Sequence, residues 1–233
     1  CVLMPNHLHL ILEVEDGNEA IRAARVRLGR ILGRTVRKSD KRFGHLWQRT
    51  PMPKHLASRE KLMRELRYVH LNPCRAQLCK DPLEWRWSSY RDSVGAAHSP
   101  WMSPFELAKH INWEKAAFAK RWHKYVSSDP SVCVTGTAFP QPAQPSAHPN
   151  QGLEEIARAA LAATHSIRPQ LFKRSLARQI MIQLAARQGW SNSPEVLAPF
   201  LKMETQTLRV ALRKKAKHDL TPAALCLGDP RLR

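Results

Sequence analysis

His7 and His9 flank a leucine in the opening run CVLMPNHLHLILEV, residues 1–14. Residues i and i+2 of an extended strand point to one face, so both imidazoles project together while Leu8 turns to the other side. Two ring nitrogens placed in this way can ligate one cation, and they can equally serve as hydrogen-bonded surface histidines. A second group lies in RELRYVHLNPCRA, residues 64–76. Tyr68 and Asn72 are four residues apart and share a helix face. An amide oxygen on that face could complete a metal shell and set the phenol beside the cation, although a tyrosine near a helix end also packs against ordinary neighbours. His70 sits about 200° around the helix from Tyr68 and belongs to another face. A phenol, with an ordinary pKa of about 10, is a weak nucleophile at neutral pH unless a cation neutralises the group it attacks. The chain has three tyrosines. Tyr90 lies in WRWSSY and reads as structural, and Tyr125 borders a proline-rich stretch. Tyr68 alone has a candidate metal partner one turn away.

These residues must be positioned by a mixed set of elements. Residues 2–14 read as a strand, with a turn at Asp16-Gly17. Asn18 is a candidate N-cap, opening a helix that runs to about Lys38. Its positions Ile21, Ala24, Leu28, Ile31 and Leu32 follow helical spacing. The other faces carry Arg22, Arg25, Arg27, Arg30, Arg34 and Arg37, a density better suited to phosphate contact than to a merely solvated face. A short extended piece is expected near His45–Gln48, and Pro51 and Pro53 confine the residues after it to an edge strand or loop. A second helix, capped by Ser58, should end at Asn72-Pro73. Residues 104–126 read as one or two helices whose Phe105, Trp113, Phe118 and Trp122 belong in a core.

Residues 127–151 hold five prolines and one charged residue, Asp129, and are expected to form a flexible or partly extended linker. The sequence is thus divided into 1–126, the linker 127–151, and 152–233. Helices are expected at 153–164, 174–188, 193–201 and 204–217, with Gly189 as a break. Leu176, Ile180, Met181 and Leu184 should be buried. Short helices around a turn, ending in a basic helix with Arg209, Arg213, Lys214, Lys215 and Lys217, match a helix-turn-helix-like DNA-binding domain or an ordinary basic bundle.

The formal net charge is +19, with 38 Lys+Arg against 19 Asp+Glu in 233 residues. That excess favours a polyanion as partner, above all nucleic acid, and both halves share it. A basic RNA- or ribosome-binding protein is the weaker alternative. No apolar run approaches the ~18 residues of a membrane span. No signal-peptide pattern is visible. The five cysteines are scattered without zinc-ligand pairs, Cys74 and Cys79 included, so reduced thiols in a cytoplasmic protein are expected.

MPNHLHLIL at 4–12, GHLWQR at 44–49 and RYVHLNPCRAQLCKDPLEWRWSSY at 67–90 together resemble the REP-associated tyrosine transposases of the HUH single-strand DNA transposase superfamily, in the family's order. The resemblance covers most of residues 1–95. It implies an α+β, ferredoxin-like HUH catalytic domain over 1–126 with a helical extension. His7 and His9 match the histidine pair that binds a divalent metal, Mg²⁺ or Mn²⁺. Tyr68 matches the nucleophilic tyrosine, and Asn72 the polar residue one turn later that helps hold the metal. The implied reaction cuts single-stranded DNA at hairpin-forming repeat ends through a 5′-phosphotyrosine, without ATP. Arg22, Arg25, Arg30, Arg34, Arg37, Arg209, Arg213, Lys214 and Lys215 are the expected DNA contacts. Superfamily members can act as dimers, so a homodimer is compatible with the resemblance. The family carries a strand, a helix and a strand before its histidine strand, whereas this sequence starts on it at Cys1. A fragment, a misassigned start or a decayed copy is therefore expected. If activity is lost with those strands, the protein becomes a repeat-hairpin DNA-binding protein derived from such a transposase.

Overall fold

The computed structural model describes residues 1–15, 17–40, 53–166, 171, 175–214 and 216–233. The expected strand over 2–14 is instead a tight hairpin, with β1 (Val2–Leu3) antiparallel to β2 (Leu8–His9) and Val2 opposite His9. Met4-Pro5-Asn6-His7 is the turn, closed by the Met4 N–H donating to the His7 carbonyl at 2.8 Å. Proline presets the backbone angle a turn needs and has no N–H for a ladder, which is why an apolar run containing it doubles back. The other edge of β1 is held by the WRWSSY segment. The Leu3 N–H donates to the Trp87 carbonyl at 2.9 Å, and the Trp85 indole donates to the Leu3 carbonyl at 2.9 Å.

Helix α1 (Gly17–Asp40) begins one residue before the expected Asn18 cap. Helix α2 (Arg59–Arg75) is capped as expected by Ser58, whose Oγ accepts from the Lys61 N–H at 3.2 Å. It continues through Pro73 to Arg75 instead of stopping at Asn72. One missing N–H there is outweighed by the burial of Leu71, Pro73 and Cys74 on the same turn. The short α3 (Tyr90–Ser93) leads to α4 (Pro104–His110) and α5 (Lys115–Ser127). Phe118 and Trp122 of α5 stack at 6.2 Å in the core as expected. Phe105 does not join them and is 57 % exposed, because it lies on the far side of α4 from the buried Leu107.

The later helices are α6 (Leu153–Ala163), α7 (Leu176–Arg187), α8 (Pro194–Phe200), α9 (Thr205–Arg213) and α10 (Thr221–Gly228). Ile180, Met181 and Leu184 are buried, and Leu176 is partly so. Gly189 follows α7 with φ +85, and a Cβ there would meet the His148 backbone at 2.3 Å, so the break needs glycine for both reasons. Helix α9 stops at Arg213 instead of running to Lys217, where Lys214 turns extended. Like charges at 213 and 217 would stand one turn apart on a continued helix and oppose it. Helix α10 carries an apolar run with no periodicity to reveal it, and it is buried nearly all round.

One apolar core runs from Leu66 and Leu71 of α2 through Tyr90 and Trp122 to Ile156, Ile180, Leu208 and Leu232. The segment 127–151 is extended, as its prolines require, but it is packed and not loose. Val132, Val134 and Phe139 lie on the core. Its backbone is tied on both sides, by the Thr135 N–H on the Lys80 carbonyl (3.2 Å) and the Ala143 N–H on the Ala224 carbonyl (2.8 Å). Among the described residues the only sheet is the two-stranded hairpin, so the chain is mostly helical with a small β element. The extended piece expected at His45–Gln48 and the motif GHLWQR lie outside the described residues, as do Asp16 and Pro51, while Pro53 is irregular and exposed. No described helix is long and apolar enough to cross a membrane.

Candidate active site

The hairpin is fixed on α2 by a small apolar cluster of Val2, Met4 and Val69, with Ile11 and Trp85 against it. Val69 is the inward neighbour of Tyr68, so docking it on β1 sets Tyr68 and Asn72 beside β2. The consequence is a meeting of residues more than sixty positions apart. The His9 Nε2 lies 2.7 Å from the Asn72 side-chain amide and 3.0 Å from the His7 Nε2. The His9 and Tyr68 rings meet edge to face at 5.9 Å. All four residues singled out in the sequence are therefore in one place. His70 is not among them. It is fully buried against Tyr90 and Trp122, and burial holds its pKa well below the ordinary imidazole value.

The His7 Nδ1 lies 2.6 Å from the Asn6 side-chain amide, on the far side of the ring from His9. The His9 ring is kept from charging first by burial and then by the nearby His7, and its pKa is lowered. Half a turn of the Asn72 amide puts its oxygen where its nitrogen stands. In that orientation the His7 Nε2, the His9 Nε2 and the Asn72 oxygen converge, atom types able to ligate a cation. Two imidazoles and one amide would only partly surround a cation, so oxygen ligands from elsewhere would have to complete its shell. Among the described residues, here as elsewhere, no group of three or more His, Cys, Asp or Glu side chains is placed to hold a metal ion.

Tyr68 is 46 % exposed, open to solvent. Arg75, not foreseen as part of the site, holds it. The Arg75 guanidinium lies 4.8 Å over the Tyr68 ring and donates to the Tyr68 carbonyl at 3.1 Å. Arg75 is in turn gripped by Ser131 Oγ (3.0 Å) and Asp129 (3.5 Å), while Arg67 also pairs with Asp129 at 2.9 Å. The single charge of the proline-rich stretch thus braces the helix that carries the tyrosine. Burial alone would raise the Asp129 pKa, but the Ser131 hydrogen bonds and the two arginines outweigh it and hold the carboxyl below its ordinary range. Asp129→Asn is expected to cost about 1–3 kcal/mol of stability at pH 7. A group with a depressed folded pKa stabilises above its unfolded value, near 4, and loses that contribution as pH falls through the folded one. The gap between wild type and Asp129→Asn in urea midpoint should therefore close below about pH 4.

The expected DNA contacts divide into groups. Arg22, Arg27, Arg30 and Arg34 line one exposed flank of α1 with Val26 and Ile31 between them, and Arg25 is exposed on the same helix. Arg213 and Lys214 are exposed at the end of α9, whereas Arg209 is engaged by Glu195 of α8. The Arg37 side chain and Lys215 lie outside the described residues. The five cysteines are free thiols, with Cys74 and Cys79 sulfurs 3.6 Å apart.

Comparison with protein-family models, curated proteins and solved structures finds no match to this chain.

Proposed function

We propose that this chain is a divalent-metal-dependent strand transferase acting on single-stranded DNA at hairpin-forming ends, a REP-associated tyrosine transposase with an HUH site. The observation that carries the reading is the convergence of His7, His9 and Asn72 on one point with the exposed Tyr68 ring 5.9 Å from His9. The motif resemblance over residues 1–95 supports the same assignment, including a ferredoxin-like ancestry for the hairpin and α2.

In this reading His7, His9 and the Asn72 oxygen would hold Mg²⁺ or Mn²⁺, which would supply positive charge to a phosphate under attack. Tyr68 supplies Oη to the phosphorus. A phosphorus–oxygen bond to the tyrosine forms and the bond to the 3′-oxygen breaks. The phenol proton is lost to solvent, and the departing 3′-oxygen takes up a proton as a free hydroxyl. Attack by a 3′-hydroxyl on the phosphotyrosine reverses these steps and rejoins DNA. One phosphodiester is exchanged for another, so no ATP is required. Arg75 keeps the ring in place, and the α1 arginines lie ready for backbone phosphates.

Incubating the protein with Mn²⁺ and labelled single-stranded repeat hairpins is expected to give a protein–DNA adduct that survives a denaturing gel. Peptide mapping should place it on Tyr68, and EDTA should abolish it. Tight hairpin binding without an adduct would support the second reading, a repeat-hairpin binding protein without cleavage, which the exposed basic faces of α1 and α9 favour.

A further inference from the structure

Helices α7, α8 and α9 pack into a unit whose outer surface has a composition its inner surface does not require. Leu197 and Ala198 of α8, Leu201 of the turn and Leu208 of α9 are buried. The turn between α8 and α9 is four residues, Leu201–Glu204, with Lys202 at φ +49 and the Met203 N–H donating to the Ala198 carbonyl at 2.9 Å. A buried guanidinium, Arg178 of α7, donates to the Leu201 carbonyl and ties the end of α8 down. The Glu195–Arg209 pair clamps α8 to α9 from outside. Every one of these contacts fixes α9 relative to its neighbours, and none covers its outer face.

That face carries Gln206, Val210 and Arg213, which are spaced to fall along one stripe, with Thr207 beside them, all exposed. Val210 is 49 % exposed in the middle of the stripe. The flanks are cationic, with Lys202, Lys214 and Lys217 exposed. The nearby carboxylates are Glu195, engaged with Arg209, Glu204 ahead of the helix, and Asp219 beyond its end. An amide, a hydroxyl and a methyl-bearing side chain on one narrow stripe between cations are the groups that read base edges in a major groove. Glutamine pairs with both hydrogen-bonding groups of adenine, an apolar side chain meets the thymine methyl, and arginine serves guanine or phosphate.

We infer that α9 is a major-groove reading helix for duplex DNA, with Gln206, Thr207 and Val210 reading bases and Arg213, Lys202 and Lys214 meeting bases or phosphates. The inference rests on DNA being the chain's partner and adds that its C-terminal part reads paired bases by sequence. This shifts the role of α9 from the Arg209 foreseen as a contact, which holds α8, to the Gln206–Val210 stripe.

The test uses the full chain carrying Tyr68→Phe, so that strand cleavage plays no part. Selection from a random duplex library is expected to enrich a motif of several base pairs. Gln206→Ala and Val210→Ala should each relax a different position of that motif and weaken the enriched duplex about tenfold to hundredfold, with random duplex bound as before. Lys214→Ala should weaken all duplexes alike and reduce the salt slope by about one. Circular dichroism should be unchanged, because these side chains are exposed. No enriched motif, an unaltered motif in both Gln206→Ala and Val210→Ala, or equal preference for single strands would overturn the inference. A failure of Tyr68 to form an adduct leaves this result intact, since the two are read from different proteins and different DNA.

Discussion

Tyr68→Phe is expected to remove the covalent DNA adduct altogether, a loss on the order of 10³-fold or more, while hairpin binding stays within about twofold. The ring is retained by the substitution, and with it the contacts that hold it, Arg75 above at 4.8 Å and the edge of His9 at 5.9 Å. Only the attacking oxygen is deleted. Neither remaining tyrosine can replace it. Tyr90 is fully buried, its hydroxyl bonded to the His123 Nδ1 at 2.7 Å, and burial pushes its pKa well above the ordinary phenol value. Tyr125 lies beneath the Arg67 guanidinium at 4.4 Å, on the side of α2 braced by Asp129. A companion His7→Ala/His9→Ala protein should lose the adduct to a similar extent, yet keep the Tyr68 hydroxyl. The pair of results separates loss of the nucleophile from loss of the cation site. An adduct formed undiminished by Tyr68→Phe would sink the assignment of Tyr68.

The site was legible in the sequence to the degree that it depends on local periodicity. Tyr68 and Asn72 share a helix face because four residues make about one turn, and that required nothing beyond the helix itself. The two histidines do converge, but not for the strand reason alone, since His7 closes a turn and only His9 lies in β2. Pro5 was the signal for that turn, and the apolar run around it concealed it. What could not be read was long-range bracing. Arg75 stood within the quoted motif, and Asp129 stood out as the lone charge of its stretch, yet nothing in composition joins positions 75 and 129. The same limit explains the proline-rich segment. Prolines dictate an extended backbone, and they do not reveal whether Val132, Val134 and Phe139 find a surface to cover. Helix α10 escaped because a helix buried on all sides has no polar stripe to give it a period.

The packing of that segment has a single strongest point, and removing it is expected to cost about 3–5 kcal/mol. Arg231, near the end of the chain, donates to the Asp81 Oδ2 at 3.0 Å, to the carbonyls of Gly136 (3.0 Å) and Ala138 (2.8 Å), and to Asp229 at 2.6 Å. One planar cation thus joins three stretches separated by up to 150 residues in sequence. Its hydrogen bonds to Asp229 and its closeness to Asp81 raise its pKa further, against the effect of burial, so it is charged at every accessible pH. Asp81 is fully buried, and among the described residues its other oxygen has the Leu83 N–H at 2.9 Å. Arg231→Ala would leave that carboxylate buried without a countercharge and the Gly136 carbonyl without its donor, while the Ala138 carbonyl keeps the His123 Nε2 at 3.1 Å. The cost is dominated by the stranded groups and not by the attraction lost. Hence Asp81→Asn combined with Arg231→Ala should be less destabilised than Arg231→Ala alone, because the amide keeps the bond from Leu83 and carries no charge. Urea unfolding would read this as a midpoint lower by about 1–2 M for Arg231→Ala, partly restored in the double substitution. A double variant no more stable than the single one would show that the lost carbonyl contacts, and not the unpaired Asp81, set the penalty.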